Sequence, residues 1–470
     1  MRECFRTFRR LCAARPAAAA LLAVLAVETE VQGCRAWHSA PPRYACRDCN
    51  IILISVDTLR ADHVHAYGYD RPTTPAIDAL AGDAVLFENA IAQSSWTRAA
   101  HMSIFTGLHP RQHGYVALAD RGRLDDKVPT LASLLHQNGY ATAAFVGGMN
   151  VGEEYGFDRG FDLYRSNGRL FRDNFQDAMF WLDGNQQAKF FLFLHGYEAH
   201  TPYASDPIDR LAVGADKQTP RKGLRKICRK TGPVARVRPF LDAYDAAIHR
   251  ADRYVGKILA EIERRGLSGR TVVVLLSDHG EEFLEHGRCF HLSTLYREVL
   301  HVPLMIKAPG LAPRRIAGLV SASVTVAPTI MDLVGIAAHS FAATSLLAAA
   351  LGREVPEEAV ISETERGEKG GGLGHLRAIT TASRKLIDCL SQRREEYFRL
   401  DADPGETRPL PATEAADLER TLDGWARMHP PAATSRRDDD EGGAEGGDRE
   451  LGATPSPEQE QELRSFGYVE

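Results

Sequence analysis

Two acidic motifs, each directly after an apolar run, hold the side chains best suited to chemistry. Asp57 follows the run Ile51–Val56, and Asp278 with His279 follows Val272–Leu276. Ligands of open α/β sheets bind at the carboxyl ends of the strands, so two neighbouring strands ending here would bring these side chains to one divalent cation. Carboxylates with one imidazole suit Ca²⁺, Mg²⁺, Mn²⁺ or Zn²⁺. Taken singly, each aspartate is explained equally well as a helix N-cap, and only their co-occurrence favours a metal site.

A third candidate is the hydroxyl-rich stretch Ser94–Gly107. Its Thr97 stands where a helical stretch begins. A hydroxyl at a helix start beside a cation is a candidate nucleophile, because the metal and the helix dipole both favour its alkoxide. Without the metal site, a simple N-cap would explain the same residues.

Alternating strands and helices have to position these residues. Apolar runs without polar alternation predict strands that are buried on both faces. The runs are Ile51–Val56, Thr142–Val146, Phe190–Leu194, Val272–Leu276 and Val302–Ile306.

Between the runs, apolar residues recur at helical spacing. The stripe from Ile248 to Ile262 predicts a core-facing helix that ends near Gly266. After about Val355 the pattern changes to short β-like runs. We therefore expect an α/β fold, with a mostly parallel sheet sandwiched by helices and a small C-terminal antiparallel α+β subdomain.

Several longer segments resemble the sulfatase family, within the alkaline-phosphatase-like superfamily. They include VDTLRADHVHAYGY, SWTRAAHMSIFTGLHP, FLFLHGYEAHTPY, SDHGEEFLEHG and YFRLDADPGETRPL. They stand in the family's order from about Asn50 to about Leu410, and the final LRSFGYVE adds to them. The resemblance implies the family's α/β fold and a metal-dependent hydrolase of esters.

The resemblance also implies a metal site. Asp57, Asp278 and His279 match the family's metal ligands, and Thr58 and Thr97 are expected beside them. One divalent ion is implied, with Ca²⁺ the first choice by family and Mn²⁺, Mg²⁺ or Zn²⁺ as alternatives.

Four residues are implied in catalysis. Thr97 matches the position of the nucleophile, counted back from the Phe-Thr-Gly that follows it, and Arg98 is expected to help neutralise the ester's charged oxygens. His200 matches a histidine that contacts the anionic group of the ester, and His291 is similar to a substrate or leaving-group residue. For both histidines, a structural hydrogen bond is the alternative interpretation.

The chain departs from the family at two of these positions. Sulfatases carry Cys or Ser as the nucleophile and oxidise it to formylglycine, whereas this chain has Thr97, so formylglycine is not expected. Thr58 replaces the second acid of the usual Asp-Asp pair. A threonine nucleophile resembles the superfamily's phosphotransfer members.

Three functions remain open. The first is hydrolysis of sulfuric esters, with phosphoric esters as chemical relatives. The second is a phosphotransferase or phosphodiesterase that uses Thr97 directly, and the third is an exported binding protein of the same fold without catalysis. The expected substrate is a small-molecule, glycan or lipid ester with an anionic group. A net charge of -5 gives no basic field for nucleic acid, which is excluded as a partner.

The first residues have the layout of an export signal, with arginines followed by the apolar run Ala17–Val27. We expect a periplasmic, secreted or membrane-anchored protein, and Cys34 leaves lipidation open. Cys46 and Cys49 form a C-x-x-C that predicts a local disulfide or two unpaired thiols.

The predicted organisation has six parts. They are an export segment at 1–33, a linker at 34–49, a catalytic domain at 50–355, a subdomain at 356–428, a solvated disordered linker at 429–460 and a tail at 461–470.

Overall fold

The computed structural model describes residues 44–120, 122–166, 170–215, 228, 237–336, 339–353, 359–366 and 373–432. The predicted export segment, most of both predicted linkers and the C-terminal tail lie outside the described residues. Among the described residues, no helix is both long and apolar enough to cross a membrane.

A large mixed sheet forms the core. Its strands are β1 (Asn50–Val56), β2 (Val85–Ile91), β3 (Ala141–Val146), β4 (Leu163–Ser166), β5 (Phe190–Gly196), β6 (Thr271–Leu276), β9 (His301–Val302), β10 (Leu304–Lys307) and β11 (Arg314–Ser321). A two-stranded hairpin, β7 (Glu282–Phe283) with β8 (Cys289–Phe290), follows β6.

The strand order is β11-β2-β10-β6-β1-β5-β3-β4, with β9 paired to β2. The five strands from β6 to β4 run parallel to one another, and β10 is antiparallel to both of its neighbours. The predicted mostly parallel sheet is therefore confirmed.

Helices cover the sheet. Their bounds are α1 (Pro75–Asp83), α2 (Thr97–Thr106), α3 (Pro110–His113), α4 (Leu131–Gln137), α5 (Phe171–Asn185), α6 (Pro207–Ala212), α7 (Arg238–Arg264), α8 (Arg297–Leu300), α9 (Val326–Leu333), α10 (Leu347–Ala350) and α11 (Ala416–Met428). Short 3₁₀ turns lie at Ala61–His63, His65–Tyr67, Glu153–Tyr155, Ser268–Arg270 and Ala412–Ala415.

Packing on both faces explains why β1 and β5 are apolar throughout. On one face, the stripe of α7 that includes Ile248 and Val255 joins the same buried cluster as Ile54 of β1. On the other face, the ring of Phe105 in α2 lies 5.0 Å from the ring of Phe193 in β5. Strands buried in this way need no polar alternation.

A four-stranded antiparallel sheet follows, as predicted. Its strands are β12 (Val360–Arg366), β13 (Gly374–Thr380), β14 (Arg384–Cys389) and β15 (Arg394–Arg399), paired in chain order. Leu418 and Leu422 of α11 pack on Ile379 and Leu386 of this sheet.

One strand prediction needs correction. The run Val302–Ile306 is not one strand, because Pro303 separates β9 from β10. Strand β9 pairs antiparallel with β2, and β10 pairs antiparallel with both β2 and β6. Proline has no N–H to donate to a ladder, so the break falls at this residue.

Candidate active site

Three adjacent parallel strands end at the same edge of the sheet. β1 lies between β5 and β6, and Ser55 pairs with His195 of β5 and with Leu276 of β6. Beyond this register position, Asp57 follows the end of β1, and Asp278 with His279 follows the end of β6. Parallel strands present their carboxyl ends together, so the register brings these side chains to one place.

In each of the two aspartates, one carboxylate oxygen makes hydrogen bonds and the other makes none. The backbone N–H groups of Thr58 and His279 donate to Asp278 Oδ1 at 3.2 and 3.0 Å. His195 Nε2 lies 3.1 Å from Asp57 Oδ2. Asp57 Oδ1 and Asp278 Oδ2 are buried and accept no hydrogen bond from any described residue. Asp278 Oδ2 has two histidine nitrogens at 3.4 Å, those of His101 and His279. An unpaired buried carboxylate oxygen is costly, so Asp57 Oδ1 points to a missing positive partner.

The side chains of Thr97 and His279 contact each other beside Asp57. Helix α2 begins at Thr97, whose Oγ1 lies 3.2 Å from His279 Nε2 and 3.4 Å from Asp57 Oδ2. His279 Nδ1 lies 2.9 Å from the carbonyl oxygen of Gly280 and donates to it. Its Nε2 therefore carries the lone pair, which is the arrangement of a metal-binding histidine.

The two carboxylates respond differently to their surroundings. Burial, and then the charge of Asp278, raise the pKa of Asp57 well above its usual range. Burial also acts to raise the pKa of Asp278, but His279 and His101 outweigh it, and the pKa of Asp278 falls below its usual range.

The donor set fits a divalent cation. Ligand atoms of Asp57, Asp278 and His279 lie within 4.8 Å of one another, and all three residues are buried. Thr58 Oγ1 is also buried, and it makes no hydrogen bond to a described residue. Two carboxylates and one imidazole are ligands that such ions accept.

Two further predicted residues border this cluster. The ring of His291 lies 4.4 Å from that of His279 and 5.1 Å from that of His200, measured between centroids. His291 Nδ1 lies 3.0 Å from Glu281 Oε1. His200 donates from Nδ1 to the carbonyl oxygen of Thr201 at 2.8 Å and stacks on Tyr197, with centroids 4.3 Å apart.

Arg98 follows Thr97 in α2, and its guanidinium is held by three contacts. It donates to the carbonyl oxygen of Asp120 at 2.6 Å and to Asn150 Oδ1 at 3.3 Å, and it lies 3.4 Å above the ring of Tyr155. These contacts fix the guanidinium, and a role on substrate oxygens stays a prediction.

Sequence reasoning missed three residues at the site: His101, His195 and Glu281. His101 Nδ1 lies 2.9 Å from the Thr97 carbonyl oxygen and 3.4 Å from Asp278 Oδ2. For His195 a signal was available, since it follows the apolar run Phe190–Leu194 as Asp57 follows its own run.

The cysteines form two disulfides among the described residues, Cys46–Cys49 and Cys228–Cys289. The first is the local disulfide that the C-x-x-C allowed, whereas spacing gave no sign of the second. Cys289 stands two residues before His291, so the second disulfide ties the hairpin that carries this histidine to a remote part of the chain.

Comparison of the sequence with known proteins identifies the family and the relatives that this chain resembles. The family model described as Sulfatase matches residues 49–336. The chain is 23% identical over 412 residues to the Delta 4,5-hexuronate-2-O-sulfatase of Bacteroides thetaiotaomicron, over 77% of this chain and 84% of that protein. It is 27% identical to the human N-sulphoglucosamine sulphohydrolase, over 59% of each chain.

Solved structures show the same fold. The phosphonate monoester hydrolase of Silicibacter pomeroyi superposes with a TM-score of 0.66 at 20% identity, over 82% of this chain and 97% of that one. The fold is that of this ester hydrolase, built on a mostly parallel sheet. The chain belongs to the sulfatase family, as its motifs predicted, and thereby to the hydrolases of sulfuric esters.

Proposed function

We propose that this protein is a metal-dependent hydrolase of sulfuric esters in which Thr97 is the nucleophile. The observation that carries the proposal is the position of Thr97 Oγ1, 3.2 Å from His279 Nε2 and 3.4 Å from Asp57 Oδ2 at the start of α2. A divalent ion held by Asp57, Asp278 and His279 would withdraw charge from the threonine oxygen and from the ester.

The reaction has two steps. In the first, Thr97 Oγ bonds to sulfur, the bond from sulfur to the alcohol oxygen breaks, and the hydroxyl proton passes towards Asp57. The departing alcohol oxygen takes up a proton, for which His291 is the proposed donor. In the second step, water attacks the sulfur of the threonine ester and passes a proton to His291, while the bond to Oγ breaks. Oγ takes back the proton held at Asp57, and hydrogen sulfate leaves.

The remaining residues bind the anionic group. His200 and Arg98 are proposed to contact the non-bridging oxygens, where negative charge concentrates during transfer. Thr58 is proposed to lie at the cation through its buried hydroxyl. Relatives named for hexuronate and glucosamine sulfates support a sulfated saccharide as the substrate class. Export, predicted from the N-terminal residues, would suit such a substrate.

A second candidate is hydrolysis of phosphate or phosphonate esters. The threonine at position 97 favours it, because a hydroxyl without formylglycine is also a suitable nucleophile for phosphorus. The likeness to a phosphonate monoester hydrolase agrees with this candidate through the fold alone.

A substrate panel tests both candidates. Purified protein with added Ca²⁺, Mg²⁺, Mn²⁺ or Zn²⁺ is given an aryl sulfate, a phosphate monoester, a phosphodiester and a phosphonate. We expect the aryl sulfate to react fastest, Thr97→Ala to lose more than about 99% of the activity and keep its cation, and Thr97→Ser to retain a measurable rate. Undiminished turnover by Thr97→Ala contradicts the proposed nucleophile, and a protein that binds none of these ions contradicts the metal site.

A further inference from the structure

The last residue of strand β12 is Arg366, and its side chain faces the catalytic domain. Side chains two apart in a strand lie on one face of the sheet, and Thr364 and Arg366 both contact the segment that follows His291. Thr364 Oγ1 donates to the Leu292 carbonyl oxygen at 3.2 Å, and Arg366 Nη1 donates to Ser293 Oγ at 2.9 Å. The guanidinium is therefore held beside the chain that carries His291.

The segment that Arg366 contacts has a constrained backbone. The N–H of Leu292 donates to the Ser95 carbonyl oxygen at 2.8 Å. Phe290 and Leu292 both have positive φ, 72° and 79°, which residues other than glycine adopt where surrounding contacts hold them. The position of the guanidinium relative to His291 is thus set before any substrate binds.

Arg366 lies on the alcohol side of the ester. In the proposed reaction, Thr97 attacks sulfur and His291 gives a proton to the departing alcohol oxygen, so the alcohol lies next to His291. Ser293 follows His291 by two residues, and two residues of chain span at most about 7 Å. A group that the alcohol carries a few bonds from the ester oxygen can therefore reach the guanidinium.

The chemistry of Arg366 favours an oxyanion as its ligand. A guanidinium is charged at every physiological pH, and its paired N–H donors match the oxygens of a carboxylate or a sulfate. The contact with Ser293 orients this group without neutralising it, because a hydroxyl carries no charge. Attachment of the strand alone needs no charge either, since Thr364 achieves it with a hydroxyl.

We infer that Arg366 is a specificity-determining residue, which binds a second anionic group carried by the alcohol half of the ester. The inference rests on the proposed function, because the role of His291 defines the alcohol side. The substrate class narrows to sulfate esters of acidic alcohols, such as sugars that also carry a carboxylate or a further sulfate. Both groups offer the guanidinium the same chemistry, a charged oxyanion.

Three matched aryl sulfates test the inference on the metal-loaded protein. They are 3-carboxyphenyl sulfate, 3-sulfonatophenyl sulfate and the neutral 3-(hydroxymethyl)phenyl sulfate. The selectivity for a charged probe is its kcat/KM divided by that of the neutral probe, and comparison of this ratio between variants cancels the intrinsic reactivity of each ester. We expect the wild type to prefer a charged probe, the carboxylate if the substrate is a uronate and the sulfonate if it carries a further sulfate.

The arginine variant should lose this preference. In Arg366→Gln we expect the selectivity to fall about 10–100-fold, the effect of hydrogen bonds to a charged group. Arg399→Gln is the matched control and should keep the wild-type selectivity. Arg399 ends strand β15 of the same sheet, where it is exposed and donates from Nε to Asp401 Oδ1 at 2.9 Å.

A second variant covers a failure to fold, which circular dichroism detects. Ser293→Ala removes the hydroxyl that orients the guanidinium and should lower the same selectivity to a smaller extent. A purely structural role would instead lower kcat/KM equally for charged and neutral probes. Unchanged selectivity in folded Arg366→Gln, or in Ser293→Ala where the first variant does not fold, overturns the inference.

The remaining outcomes separate the inference from the proposed function. A wild type that hydrolyses the probes but prefers neither charged one overturns the role of Arg366 and leaves the proposed hydrolase standing. A wild type that hydrolyses none of them contradicts the proposed function, and calorimetric titration with the alcohol products then decides on Arg366. Tighter binding of 3-hydroxybenzoate or 3-hydroxybenzenesulfonate than of 3-hydroxybenzyl alcohol, lost in Arg366→Gln, supports the inference, and equal binding of all three overturns it.

Discussion

Buried charge is the main feature of the site at the scale of single residues. Asp57, Asp278 and Glu281 are fully buried close to one another, yet the described protein supplies no arginine or lysine ion pair to any of the three. Histidines surround them instead. A divalent ion would supply the positive charge that arginine or lysine does not provide there.

Glu281 carries the first prediction at this scale. Its Oε1 accepts from His291 Nδ1 at 3.0 Å, and its Oε2 accepts from Tyr203 Oη at 3.3 Å. Burial raises the pKa of Glu281 to about 8, so its carboxyl group can exchange a proton with His291 near neutral pH. Glu281→Gln keeps the shape and removes that exchange. We expect kcat to fall about 10–100-fold, because proton transfer by a positioned group contributes on that order or more, with cation affinity unchanged.

Tyr203→Phe is the control for this prediction. It removes the hydroxyl on the far side of Glu281 and leaves the carboxylate and His291 in contact. Steady-state kinetics on the best substrate of the panel, with metal content measured in parallel, compares the variants. Equal kcat values for Glu281→Gln and the wild type would show that His291 needs no carboxylate partner.

At the scale of elements, the C-terminal sheet supports the catalytic loops. Strand β12 lies against the segment that leads into α2, where the Glu363 N–H donates to the Gln93 carbonyl oxygen at 2.9 Å. Ser362 Oγ donates to the Ala92 carbonyl oxygen at 2.6 Å, and Thr364 Oγ1 to that of Leu292 at 3.2 Å. One strand thus holds both the approach to Thr97 and the residue after His291.

A buried ion pair fixes β12 to the catalytic domain. Arg111 of α3 donates from Nε and Nη2 to Glu363 at 2.5 to 2.9 Å, and from Nη1 to the Ala426 carbonyl oxygen of α11 at 3.1 Å. Arg111→Met leaves the carboxylate of Glu363 buried without its charged partner. We expect the free energy of unfolding to fall by about 3–5 kcal/mol, the usual cost of breaking such a pair.

The double variant distinguishes this effect from lost packing. In Arg111→Met with Glu363→Gln, no charge is left alone, so urea unfolding should show a smaller loss than in the single variant. A double variant as unstable as Arg111→Met would mean that the shape of the arginine, and not its charge, fixes the strand.

The sequence predicted the strand-end residues because their signal is local. An apolar run followed by Asp57, or by Asp278 and His279, is visible in a few residues. Four of the five predicted runs and the helix around Ile248 match strands and a helix of the structure for the same reason. Strand β2 was missed because Glu88 and Asn89 interrupt its apolar residues.

The rest of the site depends on contacts across long separations. His101 reaches Ser55 across 46 residues and His195 reaches Asp57 across 138, and no spacing rule connects these pairs. Glu281 was visible inside its motif, but its partner His291 directly follows the returning strand of a hairpin. Such pairs follow from the order of strands in the sheet, which cannot be read from the spacing of residues in the sequence.

At the scale of the whole molecule, acid sensitivity follows from histidines that are buried but do not belong to the carboxylate cluster of the site. Burial, and then the charge of its neighbour His109, lower the pKa of His113 to about 3. The ring is held on both sides: the Tyr115 N–H donates to Nδ1 at 3.3 Å, and Nε2 lies 3.0 Å from Ser103 Oγ. A second proton would have to face the Tyr115 N–H, so folding excludes it.

The sign of the pH effect is fixed by this lowered pKa. The pKa of His113 is about 6.5 in the unfolded chain and about 3 in the folded protein. At a pH between these values, the unfolded chain binds a proton at His113 and the folded protein does not. Stability is therefore complete above pH 6.5 and is lost as the pH falls. One such histidine removes about 2 kcal/mol between pH 7 and pH 5.

Urea unfolding of the wild type and His113→Gln at pH 7 and pH 5 measures this contribution. The variant should lose about 2 kcal/mol less than the wild type between the two pH values, whatever it loses at pH 7, because its amide takes up no proton. His136→Gln, which changes an exposed ring at the end of α4, is the matched surface control and should keep the wild-type difference. An equal loss of stability on acidification in His113→Gln and in the wild type would show that His113 is not the acid-sensitive group. His109 and His301 would then be the next candidates, because burial lowers the pKa of each to about 4.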